Sequence, residues 1–308
     1  MSNALPRGAY PAMITPFTEN NEIDYPAVAE LLNWYNKMGC SGVFALCASS
    51  ETSHMTLEER VTLAKFIVEH KGNLVIVASG HCADSVEDQL VELNAMAKTG
   101  IDALIFIVHR MNQHGETEDQ FIENMKVLMD GIEDKEIPLG LYEQPSQFNR
   151  SLSEKIIRFC ADSGRFVFLK ETSCKPDVIA AKIRAARGSN FGIFNANSVL
   201  LYQSLKDGAA GFCGIMGNFH PDLYQWLCVN YKTKPEAAER VATFISAIGE
   251  TGSQYPASAK FHQNCFGAKM TTLVRRGINE AIKPDTAERL YAVEKAVNEM
   301  RAWLKTVQ

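Results

Sequence analysis

The sequence contains no apolar segment approaching the length of a bilayer span, no basic run and no stripe of basic and aromatic residues. Membrane insertion and nucleic-acid binding therefore lack their usual signatures. The net charge is −5 over 308 residues, which disfavours a polyanionic partner. The eight cysteines are scattered without a CxxC pair, and the start of the chain has no signal-like apolar run. These two absences point to a reducing cytoplasm. HxH and HExxH spacings are missing too, and no low-complexity linker or shift in composition divides the chain.

What is present is the balance of an ordinary globular protein, 46% hydrophobic and 22% charged, long enough for one large core. Short apolar runs alternate with longer segments of helical period. The runs at 9–17, 42–48, 74–80, 103–108, 139–143, 166–171, 191–195 and 211–215 predict strands, mostly apolar throughout as parallel strands covered on both faces are. Thr56 and Glu59 read as a capping box, with Leu57, Val61, Ala64 and Val68 as the apolar face behind it. Gly72, Gly100, Gly188 and Gly208 mark helix ends, and Pro176 and Pro221 mark helix starts. Eight strand–helix units predict an α/β fold, a (β/α)8 TIM barrel over residues 1–234. A C-terminal helical extension over 235–308 is expected to pack on it. A doubly wound open sheet is the structural rival.

In such a barrel the chemistry gathers at the C-terminal strand ends. Lys170 ends the apolar run that begins at Phe166, where burial should depress its pKa and favour the nucleophilic amine. A lysine paired with Glu171 is the plainer reading. Tyr142 ends the neighbouring strand and offers a phenol to the same space, suited to proton relay. The segment Cys47-Ala48-Ser49-Ser50-Glu51-Thr52 supplies small hydroxyls and backbone NH groups able to hold a carboxylate, or merely to cap a helix. Thr15, Gly80, His81, His109, Asn195, Asn197 and the run from Cys213 to Gly217 complete the strand-end candidates, with Arg110 beside His109.

Five ordered motifs then carry a resemblance. They are Thr15-Pro16-Phe17; Cys47-Ala48-Ser49-Ser50-Glu51 followed by Met55-Thr56-Leu57-Glu58-Glu59-Arg60; Tyr142-Glu143-Gln144-Pro145; Lys170-Glu171-Thr172-Ser173; and Gly208-Ala209-Ala210-Gly211 with Gly217-Asn218 and Pro221. Over most of its length the chain resembles the dihydrodipicolinate synthase and N-acetylneuraminate lyase family of class I aldolases. The resemblance implies that Lys170 forms a Schiff base with a small 2-oxo acid and that Tyr142 relays protons. It seats the substrate carboxylate on the Ser49 hydroxyl and NH with the NH of Ser50. It further implies a homotetramer and neither metal nor organic cofactor, the imine being the electron sink.

The departures matter equally. Ala48 stands where the synthases have a relay threonine, His109-Arg110-Met111-Asn112 lacks their tyrosine after strand 4, and Gln147 aligns with the arginine that receives the second substrate's carboxylate. These changes favour a 2-keto-3-deoxy sugar acid or similar 2-oxo acid over the synthase reaction, with His109, Arg110, Gln147 and Asn195 as contacts to the substrate tail. Three alternatives stay open at the level of sequence: dihydrodipicolinate synthase proper, a metal-dependent barrel enzyme using His54, His81 and His109, and a 2-oxo acid binder without turnover.

Overall fold

The apolar runs become strands because helices or the barrel interior cover both of their faces. The computed structural model describes residues 4–145, 150–249, 254–277 and 279–307. Among them the strands are β1 (Gly8–Ala9), β2 (Gly42–Ala45), β3 (Val75–Ala78), β4 (Ala103–Ile107), β5 (Leu139–Tyr142), β6 (Phe166–Glu171), β7 (Gly192–Asn195) and β8 (Gly211–Phe212). All pairings are parallel, in the order β1-β8-β7-β6-β5-β4-β3-β2. The chain beyond β1 closes the barrel, since Tyr10 N donates to Phe212 O at 2.8 Å and Phe44 N donates to Pro11 O at 2.9 Å. The fold is a (β/α)8 barrel.

Helices α1 (Tyr25–Lys37), α2 (Leu57–His70), α3 (Val86–Ala97), α4 (Glu118–Gly131), α5 (Glu154–Ser163), α6 (Pro176–Ala186), α7 (Leu201–Asp207) and α8 (Pro221–Asn230) follow the strands in turn. The predicted capping box forms: Thr56 Oγ1 accepts from Glu59 N at 3.1 Å and Thr56 N donates to Glu59 Oε2 at 2.9 Å. The buried face of α2 is rotated from the expected one and consists of Arg60, Leu63, Ala64 and Ile67. Arg60 is the reason, because its guanidinium reaches Gly80 O and pairs with Glu92 on α3 at 2.7 Å.

Two strands are shorter than expected. Pro11 has no NH for the ladder, so regular pairing along β1 stops early, although Ala12 still bridges Phe44. Past Phe212 the chain turns into a 3-10 segment, Ile215–Asn218, instead of continuing as strand. The interior is filled by the rings of Tyr10, Phe44, Phe168 and Phe194, all fully buried. Glycine makes the room: a Cβ on Gly42 would meet the Tyr10 ring at 2.3 Å, and one on Gly140 would meet Ile105 at 2.4 Å.

The later helices are α9 (Pro235–Ala247), α10 (Ala257–Phe266) and α11 (Pro284–Leu304). The α10 region clamps the loop after β2. Lys260 Nζ lies 2.8 Å from Glu51 Oε1, and Glu51 Oε2 accepts from Arg275 N and Arg276 N at 2.6 and 2.8 Å. Burial pulls the Lys260 ammonium down to about 8 against the opposing pull of Glu51. Among the described residues no helix is long and apolar enough to cross a membrane.

Candidate active site

Lys170 and Tyr142 face each other because β5 and β6 pair them directly in register. Period-two alternation turns both side chains into the barrel, above the ring of Phe168. The Lys170 amine lies 4.5 Å from the Tyr142 ring centroid and 5.4 Å from that of Phe44. The thiols of Cys213 and Cys47 flank it. Burial alone would depress the lysine, but Tyr142, Cys213 and Cys47 together outweigh it, and the amine is held above its ordinary value. The expectation of a lowered pKa is thus corrected, since the polar and aromatic wall around Nζ favours the ammonium. Burial also raises the Tyr142 phenol and pushes the Cys213 thiol up to about 12. At neutral pH the pair is an ammonium and a neutral phenol.

The next residue on each strand points the other way, into the helix layer. Glu143 and Glu171 both reach Lys182 of α6, at 2.6 and 3.0 Å, in a fully buried cluster. Lys170 therefore does not pair with Glu171. Glu143 also accepts from Leu152 N at 2.7 Å, which ties the chain beyond β5 to this brace. Desolvation raises the Glu143 carboxyl in spite of Lys182.

The residues Ala48–Ser50 form a 3-10 turn at the mouth. Ser50 is committed to the turn: its hydroxyl donates to Met13 O at 2.6 Å, its NH donates to Cys47 O at 3.0 Å, and its carbonyl accepts from Thr15 Oγ1 at 3.0 Å. The hydroxyl of Tyr255, just before α10, lies near Ser49. Tyr255 comes from the far end of the chain, and sequence reasoning missed it. No spacing relates it to the strand ends. Its oxygen also faces Asn218 Nδ2 at 3.1 Å, and Asn218 Oδ1 accepts from Tyr35 Oη at 2.6 Å.

Several sequence candidates go elsewhere. Asn195 turns outward, its Nδ2 donating to Ser204 Oγ on α7 at 3.1 Å and its Oδ1 accepting from Asn197 N at 2.8 Å. It alternates with Phe194, which takes the inward place. Arg110 is drawn from the mouth by an ion pair with Asp84, whose side chain is solvent-exposed. His109 is partly buried, its Nδ1 finds no partner among the described residues, and burial lowers its pKa. Gln147 lies outside the described residues. The three histidines do not converge. His81 uses Nδ1 to accept from Ile107 N at 3.1 Å and Nε2 toward Gln89 at 2.6 Å, while His54 is exposed. Among the described residues no group of three or more His, Cys, Asp or Glu is arranged to hold a metal ion.

A sequence profile of the dihydrodipicolinate synthetase family matches residues 5–298. The chain belongs to the dihydrodipicolinate synthetase family. With the other members of that family it is a lyase of class I aldolase type. The 4-hydroxy-tetrahydrodipicolinate synthase 1 of Clostridium acetobutylicum is 26% identical over 226 residues, 73% of this chain and 74% of that protein. A 4-hydroxy-tetrahydrodipicolinate synthase of Clostridium perfringens is 27% identical over 73% of this chain and 75% of its own. Among solved structures, YagE of E. coli K12, a prophage protein of the dihydrodipicolinic acid synthase family in complex with pyruvate, superposes with a TM-score of 0.83. It is 20% identical, and the match covers 95% of this chain and 99% of that one. A monomeric dihydrodipicolinate synthase variant gives a TM-score of 0.85 at 19% identity, covering 95% and 97%.

Proposed function

We propose that this protein forms a Schiff base between Lys170 and the C2 carbonyl of a 2-oxo acid, with Tyr142 carrying protons and Ser49 receiving the carboxylate. The observation that carries the reading is the Lys170–Tyr142 pair, in register on adjacent strand ends with the amine 4.5 Å from the phenol ring centroid. The Lys170 ammonium passes one proton to the Tyr142 oxygen as the phenol gives its own hydrogen to the carbonyl oxygen, and the freed lone pair attacks C2 as the carbonyl π pair moves onto that oxygen, giving a carbinolamine protonated on nitrogen. A second proton moves from that nitrogen to the hydroxyl by the same relay, the oxygen leaves as water, and nitrogen keeps one hydrogen in the C2 iminium. The phenol is neutral before and after each transfer and Lys170 makes up both protons of the expelled water, so the step neither takes up nor releases a net proton. The iminium is then the electron sink for cleavage or dehydration, which makes a metal unnecessary.

For the substrate tail we favour a neutral, polyhydroxylated chain, as in 2-keto-3-deoxy sugar acids. Gln147 offers a neutral amide where the synthases use an arginine fork, Ala48 has no hydroxyl, and Arg110 is engaged with Asp84. The test is borohydride reduction with a panel of 2-oxo acids, followed by peptide mass spectrometry and turnover assays. Pyruvate should leave a reduced adduct on Lys170, and a sugar-derived 2-oxo acid should turn over faster than pyruvate plus aspartate semialdehyde. A wild-type protein that never traps an adduct on Lys170 refutes the reading, and efficient condensation with the semialdehyde refutes the substrate class.

A further inference from the structure

We propose that Glu51 is a positioning residue that sets the Ser49 turn for the substrate carboxylate, by anchoring a left-handed backbone pivot to the C-terminal extension. The proposal rests on the reading of Ser49 as the carboxylate seat and deepens it, since the extension then decides how that seat is shaped.

Glu51 closes the 3-10 turn Ala48–Ser50 and opens a second one, Thr52–His54. Its backbone lies at φ 62° and ψ 33°, the left-handed region, where a residue with a Cβ is crowded against its own carbonyl. Such a conformation persists only where the surroundings over-determine it. The seat depends on it. The Glu51 NH donates to Ala48 O at 3.2 Å, which closes the turn around Ser49, and the Ser50 carbonyl accepts from Thr15 Oγ1 at 3.0 Å. That NH and that carbonyl belong to one peptide unit, so relaxing Glu51 out of the left-handed region withdraws both together.

The side-chain contacts that hold the pivot come from the extension. Glu51 is buried, its Oε1 lies 2.8 Å from Lys260 Nζ on α10, and its Oε2 accepts from Arg275 N and Arg276 N at 2.6 and 2.8 Å. Lys260 is fixed in turn by Leu273 O and by the Phe17 ring, whose centroid is 4.4 Å from Nζ. Arg275 grips the far end of the same segment, donating from Nη1 to His54 O at 3.2 Å and pairing through Nη2 with Glu59 at 2.8 Å. An amide cannot replace this carboxylate, because whichever way it turns its NH2 faces either the Lys260 ammonium or two backbone NH groups. The reactive pair stands apart from the clamp: Tyr142 and Lys170 are carried by β5 and β6, which Lys182 braces from α6. The clamp therefore governs binding of the acid head and leaves the imine chemistry alone.

The test measures the concentration dependence of the borohydride-trapped Lys170 adduct for pyruvate and for methyl pyruvate, which keeps the ketone and lacks the charge. For Glu51→Gln the half-saturating pyruvate concentration should rise about tenfold, while the trapping rate at saturation changes less than about twofold and methyl pyruvate is unaffected. Glu51→Asp keeps the charge that buried Lys260 needs, so it reports even where Glu51→Gln folds poorly. Aspartate enters the left-handed region more readily than glutamate, but it is one methylene shorter and does not span to Lys260 and both NH groups. Pyruvate saturation should therefore weaken about three- to fivefold in this variant, whereas a pivot held by backbone preference alone predicts no loss. Ser49→Ala checks the seat itself and should weaken pyruvate but not methyl pyruvate. Equal effects of the Glu51 variants on both ketones, or unchanged pyruvate saturation in Glu51→Asp, overturn the proposal while the Ser49 and Lys170 readings stand. Unchanged pyruvate saturation in Ser49→Ala overturns the seat and this proposal with it, and a wild-type protein that traps neither ketone overturns the imine reading as well.

Discussion

Lys170 and Tyr142 illustrate how a charge state is decided by neighbours. Burial by itself argues for a neutral amine, yet the phenol, the thiols and the two aromatic faces hold the ammonium. Because the lysine is raised above its ordinary value, it stays protonated throughout the range below pH 9. The protons that leave in water are then supplied within the pair, and the rate of imine formation should be flat from pH 6 to 9. A rate rising tenfold per pH unit would show that bulk solvent removes the proton and that Tyr142 does not carry it. Tyr142→Phe should slow trapping by roughly a hundredfold, the usual range for a positioned acid–base group. Both side chains were legible in the sequence, since each ends an apolar run. Asn195 and Arg110 were not, because their direction depends on Ser204 and Asp84, partners that strand-end position alone does not reveal.

At the level of elements, β5 and β6 are locked by the carboxylates that follow the two reactive residues. Glu143 and Glu171 share Lys182 in a dry layer between the strands and α6. Lys182→Met removes the one cation and leaves two buried carboxylates, a loss on the order of 3–5 kcal/mol. The sign with pH follows from the raised Glu143: its protonated form is favoured in the folded protein, so the penalty is smaller in acid and grows as pH rises. Urea unfolding at pH 5 and pH 8 should show the wider gap from wild type at pH 8, and an equal gap at both contradicts this account. The helix punctuation was readable beforehand, as the Thr56 cap and the prolines opening α6 and α8 show. The face of α2 was misjudged because Arg60, polar by type, is buried by its partner on α3.

Over the whole molecule, acid stability should depend on histidines enclosed in neutral form. His220 is buried between the barrel and the C-terminal helices, stacks on Tyr224, and finds no hydrogen-bond partner for either ring nitrogen among the described residues. Burial pulls it down to about 3, and His81 down to about 4. The unfolded chain binds protons near pH 6.5 while the folded one does not. Stability is therefore full above pH 6.5 and falls as pH drops toward those lowered values, by about 1.4 kcal/mol per pH unit for each histidine. His220→Phe keeps the stacking and should flatten the decline in melting temperature between pH 6.5 and 4. A variant as acid-sensitive as wild type would remove His220 from this account.

The eight strand–helix units, their punctuation and the Lys170–Tyr142 pair were determined by the sequence by itself, because period, caps and strand-end position are local properties of a chain. The tertiary structure alone decided the rest. Tyr255 lies near Ser49 and Lys260 meets Glu51 only because α10 folds back over the mouth, joining residues some 200 positions apart. Contacts of that kind depend on how packed elements sit against one another, and no spacing along the chain encodes them.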